Sequence, residues 1–328
     1  MKRNIFLLVT AAILIPFLLV KSQTNDNQKT LKAKFTIVMH AGAGAISRDM
    51  PDSVKKEYIN ALSEALNIGK NILEKGGASL DAVEKVIRFL EDDPKFNAGK
   101  GAVFTSEGTH ELDASIMNGA DLSCGAVAGV KHVKNPITLA RAVMEKSLHV
   151  FFIGEGAEKF ARQMNIELVD EKYFFDKKRY DQWQKMKQNA EKNKKGTVGC
   201  VCLDKYGNIA AGTSTGGMTN KLPGRVGDSP IIGAGNYANN KTCGVSATGT
   251  GELFIRNTVA YNISAMMEYK NMSLKDAVNE MIHKRLKPGD GGVIAVDREG
   301  NYIMDYNSEG MFRGAANSDG VFEIKIWE

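Results

Sequence analysis

A threonine, Thr197, stands directly behind Gly196, where the lysine-rich run "NKKG" gives way to the apolar stretch "TVGCVCLD". Beyond it the chain concentrates hydroxyls, glycines and one Arg/Asp pair: Thr215 in "TSTGG", Arg225 and Asp228 in "GRVGDSP", Thr248 and Gly249 in "SATGTGE". A threonine hydroxyl is a weak nucleophile and needs a base. At a chain's N-terminus it carries its own, because a free α-amine with a pKa of about 7.7 to 8.0 can take the hydroxyl proton near neutral pH, which an amide nitrogen cannot do. For Thr197 to act, the Gly196–Thr197 bond must be cut, and the intact chain is then a precursor. Glycine at 196 tolerates backbone geometry that exposes its carbonyl to the hydroxyl. Attack there, an acyl shift to an ester and hydrolysis would free the amine. Each residue also has a plainer reading: Thr197 as a strand edge, Arg225 and Asp228 as a surface pair in a turn, "TGTG" as a bend before a helix.

Other chemistries find no support. "GAGAIS" and "GTGELF" lack the full dinucleotide fingerprint, and Walker A, HExxH and nucleophile-elbow patterns are missing from the sequence. The five histidines, His40, His110, His132, His149 and His283, are scattered and read as structural rather than as zinc ligands.

The elements that must position these residues follow from periodicity. Phe35 to Met39 reads as a short buried strand, followed by the turn-rich His40 to Ala45. A helix is expected over 53–75 with Asp52 as cap and Gly76-Gly77 as stop, and another from a Ser79 cap to about Leu90. "EDDPKFNAGKGAVF" should open a series of short strands, and Asn135-Pro136 should start a helix. Residues 184–196, nearly devoid of apolar anchors, read as a mobile linker. In the strand from Thr197, Val198, Cys200 and Cys202 face one way and Thr197, Gly199, Val201 and Leu203 the other, so both faces should be covered. "VCLDKYGNIA" is echoed by "IAVDREGNYI", which suggests two similar hairpins, with helices over 253–269 and 274–286 between them, the second capped by Ser273. This order favours antiparallel sheets covered by helices, an α+β class, over a regular βαβ series.

Lys2 and Arg3 precede an uncharged, mostly apolar run from Ile5 to Val20, which reads as a signal peptide cut after Ser22. Export to the periplasm or the medium follows, with no stable membrane association after the leader is removed. The net charge of +5 then falls to +2, giving no reason to expect nucleic acid as a partner. Cys200 and Cys202, two apart in one strand, read as small core residues; Cys124 and Cys243 could pair only if the fold joins them.

The motifs "GTVG", "TSTGGMTNKLPGRVGDSPIIGAG" and "ATGTGE", with "FNAGKGAVFT" and "HELDASIM" upstream, resemble the plant-type asparaginase/isoaspartyl peptidase family of N-terminal nucleophile hydrolases, from about His40 to the C-terminus. The resemblance implies an αββα four-layer sandwich, autocleavage into an α chain of residues 23–196 and a β chain of residues 197–328, and a dimer of such pairs. It makes Thr197 the nucleophile, with Thr215 and Thr248 as hydroxyl partners and Asn97 helping to hold the nucleophile region. Thr248 with the Gly249 N–H resembles the oxyanion hole. Arg225 would grip a substrate α-carboxylate, and Asp228, helped by the main chain at Gly249 and Gly251, would take the α-ammonium. Such a site suits a β-aspartyl linkage in asparagine or an isoaspartyl dipeptide. No cofactor is implied for catalysis, but the carbonyls of Leu90, Glu91, Asp93, Phe96, Ala98 and Lys100 resemble the family's structural sodium loop; an ordinary loop beneath Asn97 is the other reading. Two positions depart from the family pattern: Ala41 replaces the first glycine of His-Gly-Gly, and Lys100 stands where an apolar residue is common. Glycosylasparaginase, whose cut site more often reads Asp-Thr-Ile-Gly, and an exported, uncut binding protein on the same fold are the alternatives.

Overall fold

The strand behind Gly196 is the frame on which the rest is hung, because every residue from Val198 to Leu203 is small or apolar and fully or nearly fully buried. The structure, a computed structural model, describes residues 34–189 and 196–328. The expected leader, residues 1–22, and residues 190–195 of the expected linker lie outside the described residues. In chain order the elements are β1 (Thr36–Gly44), α1 (Asp52–Glu74), α2 (Ser79–Asp92), β2 (Leu112–Asn118), β3 (Cys124–Val130), α3 (Pro136–Lys146), β4 (Phe151–Ile153), α4 (Gly154–Gln163) and α5 (Lys177–Asn189). Then follow β5 (Val198–Leu203), β6 (Ile209–Thr215), β7 (Asn236–Ala238), β8 (Cys243–Gly249), α6 (Gly251–Arg256), α7 (Val259–Lys270), α8 (Leu274–Asn279), β9 (Gly291–Asp297), β10 (Tyr302–Tyr306), β11 (Gly310–Asn317) and β12 (Phe322–Lys325).

One sheet runs β12-β11-β1-β5-β6-β2-β3-β4 and the other β10-β9-β8-β7. All pairings between these strands are antiparallel except β3 with β4. The alternation in β5 sorts its side chains as the spacing predicts. Val198, Cys200 and Cys202 join Leu62, Leu66, Val83 and Ile87 of α1 and α2 in one apolar cluster. Val201 and Leu203 join Val38 and Ile209 of the same sheet and Ile294 and Val296 of β9 in a second cluster. A third packs Val245, Ala247 and Val293 against Phe254, Ile263, Val278 and Met281. Fully burying such a side chain stabilises the fold by about 1.5–3 kcal/mol, so a strand covered on both faces is held far more firmly than one with a solvated side. The result is a mixed fold of helices and two sheets.

The two echoed hairpins form, β5–β6 and β9–β10, and their turns are built alike. Asp204 Oδ1 accepts from the N–H groups of Tyr206 and Asn208, and Asp297 Oδ1 from those of Glu299 and Asn301, at 2.9 to 3.0 Å. Ser273 caps α8 as expected, accepting from the Asp276 N–H at 3.1 Å.

Other expectations need correction. The first strand does not stop at Met39 but runs to Gly44, because a bulge between His40 and Ala43 absorbs the glycine-rich segment and pairing with β11 resumes at Ala43 and Gly44. Pro51, not Asp52, is the cap of α1, and it makes no side-chain cap bond. "FNAGKGAVF" forms a tight turn at Gly99–Gly101 rather than a strand. The helix expected over 253–269 breaks into α6 and α7 at Thr258, which sits at φ 44°. The expected linker is helical up to Asn189. The Arg179 guanidinium of α5 donates to the carbonyls of Lys95 and Gly101, each at 3.0 Å, and the Trp183 indole N–H donates to Asn220 Oδ1 at 3.2 Å. All four cysteines are free; Cys200 and Cys202 Sγ atoms lie 3.7 Å apart among the core residues.

Candidate active site

Strand β5 delivers Thr197 at its leading end, and β6, its hairpin partner, delivers Thr215 at its trailing end. Antiparallel pairing of Val198 with Ser214 therefore brings the two threonines together, with their hydroxyl oxygens 3.0 Å apart. Both are buried. The Gly196 carbonyl oxygen is ringed by three donors: Asn97 Nδ2 at 2.7 Å, Thr197 Oγ1 at 2.8 Å and Thr215 Oγ1 at 3.1 Å. Thr215 Oγ1 also accepts from the Gly217 N–H at 3.0 Å, which fixes one lone pair and leaves its proton to Thr197 or the carbonyl.

Asn97 is itself locked. Its Nδ2 donates to the Gly217 carbonyl at 2.7 Å, its Oδ1 accepts from the Val103 N–H at 3.0 Å, and its own carbonyl accepts from the Gly216 N–H. A donor held by three other bonds loses little freedom when it meets developing charge, which is what gives such groups their value. The sequence motif pointed to Asn97 as a support; the structure puts it on the carbonyl of the residue before the nucleophile.

His40 is structural, and its place is specific. Its Nδ1 lies 3.0 Å from the Thr197 carbonyl oxygen, an atom that only accepts, so Nδ1 carries the proton. Nε2 then accepts from Ser246 Oγ at 3.0 Å. Complete burial pushes the imidazole down to about 3, more than its bond to Thr197 raises it, so it stays neutral and fixes the peptide plane behind the nucleophile. Gly199, paired with His40 across the strands, makes room for this contact, since a Cβ there would overlap Ser246 Oγ and His40 Nε2. No signal in the local sequence marks it, because the partners are 157 and 206 residues away.

The bulge in β1 bears on the departure at Ala41. Among the described residues Ala41 is not one of those with positive φ, and it packs in the core, so the backbone there does not demand glycine. Gly42 is the position that needs glycine: its φ is +112°, and a Cβ would stand 3.1 Å from Gly196 Cα.

Arg225, Asp228, Gly249 and Gly251 line a narrow cleft together with Gly196, Thr197 and Thr215. The expected constellation is thus assembled, with two differences. Arg225 meets Glu252 in a two-pronged pair, Nε to Oε1 and Nη2 to Oε2, both 2.9 Å, a partner that stood in the "ATGTGE" motif but was not singled out. Thr248 is fully buried and does not line the cleft; its hydroxyl accepts from the Ala43 N–H at 3.3 Å. Asp228 is buried with Oδ2 lacking a protein partner, and burial pushes its carboxyl up to about 7 against the opposing pull of its own backbone N–H and Arg225.

The loop expected to bind sodium offers main-chain oxygens only. Among the described residues no group of His, Cys, Asp and Glu could hold a metal. Burial pushes the Glu91 carboxyl up to about 8, Asp93 is paired with Lys95, and the Lys100 ammonium lies over the Tyr173 ring, 5.4 Å from its centroid. Of the carbonyls of Leu90, Glu91, Asp93, Phe96, Ala98 and Lys100, none is taken by Arg179, but those of Asp93, Phe96 and Ala98 accept from the N–H groups of Phe96, Ala98 and Gly101, so a cation there would share these oxygens with the turn's own bonds.

The model of the family described as Asparaginase matches residues 33–326. The chain is 51% identical over 295 residues to the isoaspartyl peptidase of Salmonella typhimurium, covering 85% of this chain and 94% of that protein. It is 50% identical to the isoaspartyl peptidase of Escherichia coli, covering 89% and 97%, and 48% identical to a putative isoaspartyl peptidase/L-asparaginase of Dictyostelium discoideum, covering 87% and 94%.

Proposed function

This chain belongs to the asparaginase family, and from that premise we infer that it is an isoaspartyl peptidase and L-asparaginase, releasing aspartate from β-aspartyl dipeptides and asparagine through Thr197. One observation carries the reading: the Gly196 carbonyl sits among three donors, one of them the Thr197 hydroxyl, at the edge of a cleft that also holds Arg225 and Asp228. In maturation Thr197 Oγ1 bonds to the Gly196 carbonyl carbon, the C–N bond breaks, and the hydroxyl proton ends on the Thr197 nitrogen. Water then hydrolyses the ester, restoring the hydroxyl and leaving a free α-amine. Asn97 and Thr215 stabilise the oxygen on which charge develops.

In turnover the α-amine takes the Thr197 hydroxyl proton, Oγ1 attacks the β-carbonyl carbon, and the departing nitrogen receives that proton as its bond to carbon breaks. Water cleaves the aspartyl ester and frees aspartate. The Gly249 N–H, which lines the cleft, is the oxyanion donor for this step, with the buried Thr248 supporting it from behind rather than from the cleft wall. Arg225 grips the substrate's α-carboxylate, which takes over from Glu252, and Asp228 receives the α-ammonium with the main chain at Gly249 and Gly251. A cation beside Asp228 favours its charged form and draws its pKa back down.

The three apolar clusters support an αββα four-layer sandwich, made by chains of residues 23–196 and 197–328 and paired into a dimer of such units. The leader supports export to the periplasm or the medium. A structural sodium ion held by carbonyls of the loop from Leu90 to Lys100 would fix the turn that presents Asn97. The test is release of aspartate by the matured protein from asparagine, a β-aspartyl dipeptide and glycosylated asparagine. Turnover of the first two, lost in Thr197→Ala, is expected. Turnover of the glycosylated compound alone would make the enzyme a glycosylasparaginase, and turnover by Thr197→Ala would place the nucleophile elsewhere.

A further inference from the structure

Two hydroxyls of the larger sheet hold both ends of the loop that carries Asp228, and no step above uses them. Ser115 of β2 and Thr213 of β6 are paired across their strands, and both are completely buried. Ser115 Oγ lies 2.6 Å from the carbonyl oxygen of Ser229, the residue directly after Asp228. Thr213 Oγ1 lies 3.0 Å from the carbonyl oxygen of Gly235, where the loop enters β7. Between these two points the loop folds back on Asp228. The Ile231 N–H donates to the Asp228 carbonyl at 2.9 Å, and a Cβ on Gly235 would stand 2.8 Å from Asp228 Oδ2, so the carboxylate rests against the Gly235 backbone.

The direction of each bond follows from what the partners can give. A carbonyl oxygen only accepts, so the Ser115 proton points at Ser229. The amide edge of Asn236 that meets Ser115 Oγ at 3.0 Å is therefore its NH2, donating to the lone pair that Ser115 leaves free. Thr213 Oγ1 also lies 2.7 Å from Ser246 Oγ. Ser246 sends its own proton to His40 Nε2, so the single Thr213 proton is shared between Ser246 and the Gly235 carbonyl. Asn236 and Ser246 are paired neighbours on β7 and β8, and both are completely buried. Each hydroxyl of the larger sheet is thus oriented by a polar side chain of the smaller one.

We propose that the Ser115–Thr213 pair, oriented by Asn236 and Ser246, is a positioning clamp that sets Asp228 against the substrate's α-ammonium and keeps it in register with Thr197. This rests on Asp228 taking that ammonium. Asp228 Oδ2 makes no bond to the protein, so the place of the carboxylate is set through the loop backbone that the clamp holds. The link to the nucleophile runs from Thr213 through Ser246 to His40, whose Nδ1 holds the Thr197 carbonyl. None of the four side chains lines the cleft, so they act through Asp228 and His40 rather than on the substrate.

The experiment measures competitive inhibition of the matured enzyme by aspartate and by succinate, which differ only in the α-ammonium. In the wild type aspartate should bind more tightly. Ser115→Ala should raise the Ki of aspartate and the KM of asparagine by about fivefold, the worth of one hydrogen bond. The Ki of succinate, the kcat and the rate of self-cleavage should hardly move. Thr213→Val keeps the shape and removes the hydroxyl; it should raise the Ki of aspartate likewise, and Thr213→Ser should restore it. This second pair carries the test if Ser115→Ala does not fold. An unchanged Ki of aspartate in the folded variants, or a rise shared equally by succinate, would overturn the clamp. A wild type that binds succinate as tightly as aspartate would instead remove the assignment of the ammonium to Asp228, on which the clamp rests.

Discussion

Asn97→Asp is the perturbation that separates chemistry from support. The replacement keeps the shape and the oxygen that accepts from Val103, but it turns the donor lying 2.7 Å from the carbonyls of Gly196 and Gly217 into an acceptor. If that donor stabilises the oxygen on which charge develops during self-cleavage, its loss costs about 2.7–4 kcal/mol of barrier, or about 10²–10³ in rate. The introduced carboxyl also supplies its own rescue, because in its protonated form it carries one O–H that can point at the Gly196 oxygen. Burial and the facing carbonyls disfavour the charged form and raise its pKa, so the proton should return on mild acidification. Maturation itself needs no free α-amine, hence acid does not remove its base. The assay is the appearance of two bands from freshly purified protein on a denaturing gel, timed from about pH 8 down to about pH 5, with thermal melting of the uncut chain to verify folding. The variant should cut slowly at the upper end and recover toward the lower end, whereas the wild type should show no such recovery. Cutting at the wild-type rate across the range would refute the role given to Asn97.

Other predictions follow from the buried acids and the packing behind Thr197. Because burial pushes Asp228 up to about 7, KM for asparagine should fall as pH rises through about 7 and the carboxylate forms; in Asp228→Asn it should be high and insensitive to pH there, as initial-rate kinetics will show. Glu91 is raised from 4.5 to about 8, so the native state keeps a proton that the unfolded chain releases across that window, and stability is lost as pH rises through it. Glu91→Gln, whose Oε1 can still accept from Ile137 and Ser214, should therefore lose less melting temperature than the wild type between those limits. Gly199→Ala would drive a methyl into the His40–Ser246 contact, and denaturant titration should find it destabilised by about 1–3 kcal/mol.

What could be read from the sequence was whatever neighbours in the chain decide. The β5–β6 and β9–β10 hairpins and the Ser273 cap are settled within a few residues and are legible, whereas α2 is capped at Ala78, without a side-chain bond, and not at the expected Ser79. The course of β1 was not, because its bulge is imposed by pairing with β11 at Met311 and Gly310. Helix α5 has few apolar residues and is held by Gly101, Lys95 and Asn220, which lie 78, 84 and 37 residues from the groups that bind them. The site divides along the same line. Thr197, Thr215, Arg225 and Asp228 stand out by residue type, their roles are what the family resemblance implies, and the fold brings them to one cleft. The neutral His40 behind the nucleophile, the Glu252 partner of Arg225 and the direct contact of Asn97 with Gly196 depend on how distant segments meet.

The central claim is that Thr197 becomes an N-terminus by its own action. Incubation of the purified chain, followed by N-terminal sequencing of the smaller band, tests it most directly. A 132-residue piece whose sequence begins Thr197-Val198-Gly199-Cys200 is expected, and no such piece from Thr197→Ala. A chain that stays whole, or a new N-terminus at any other residue, would contradict it.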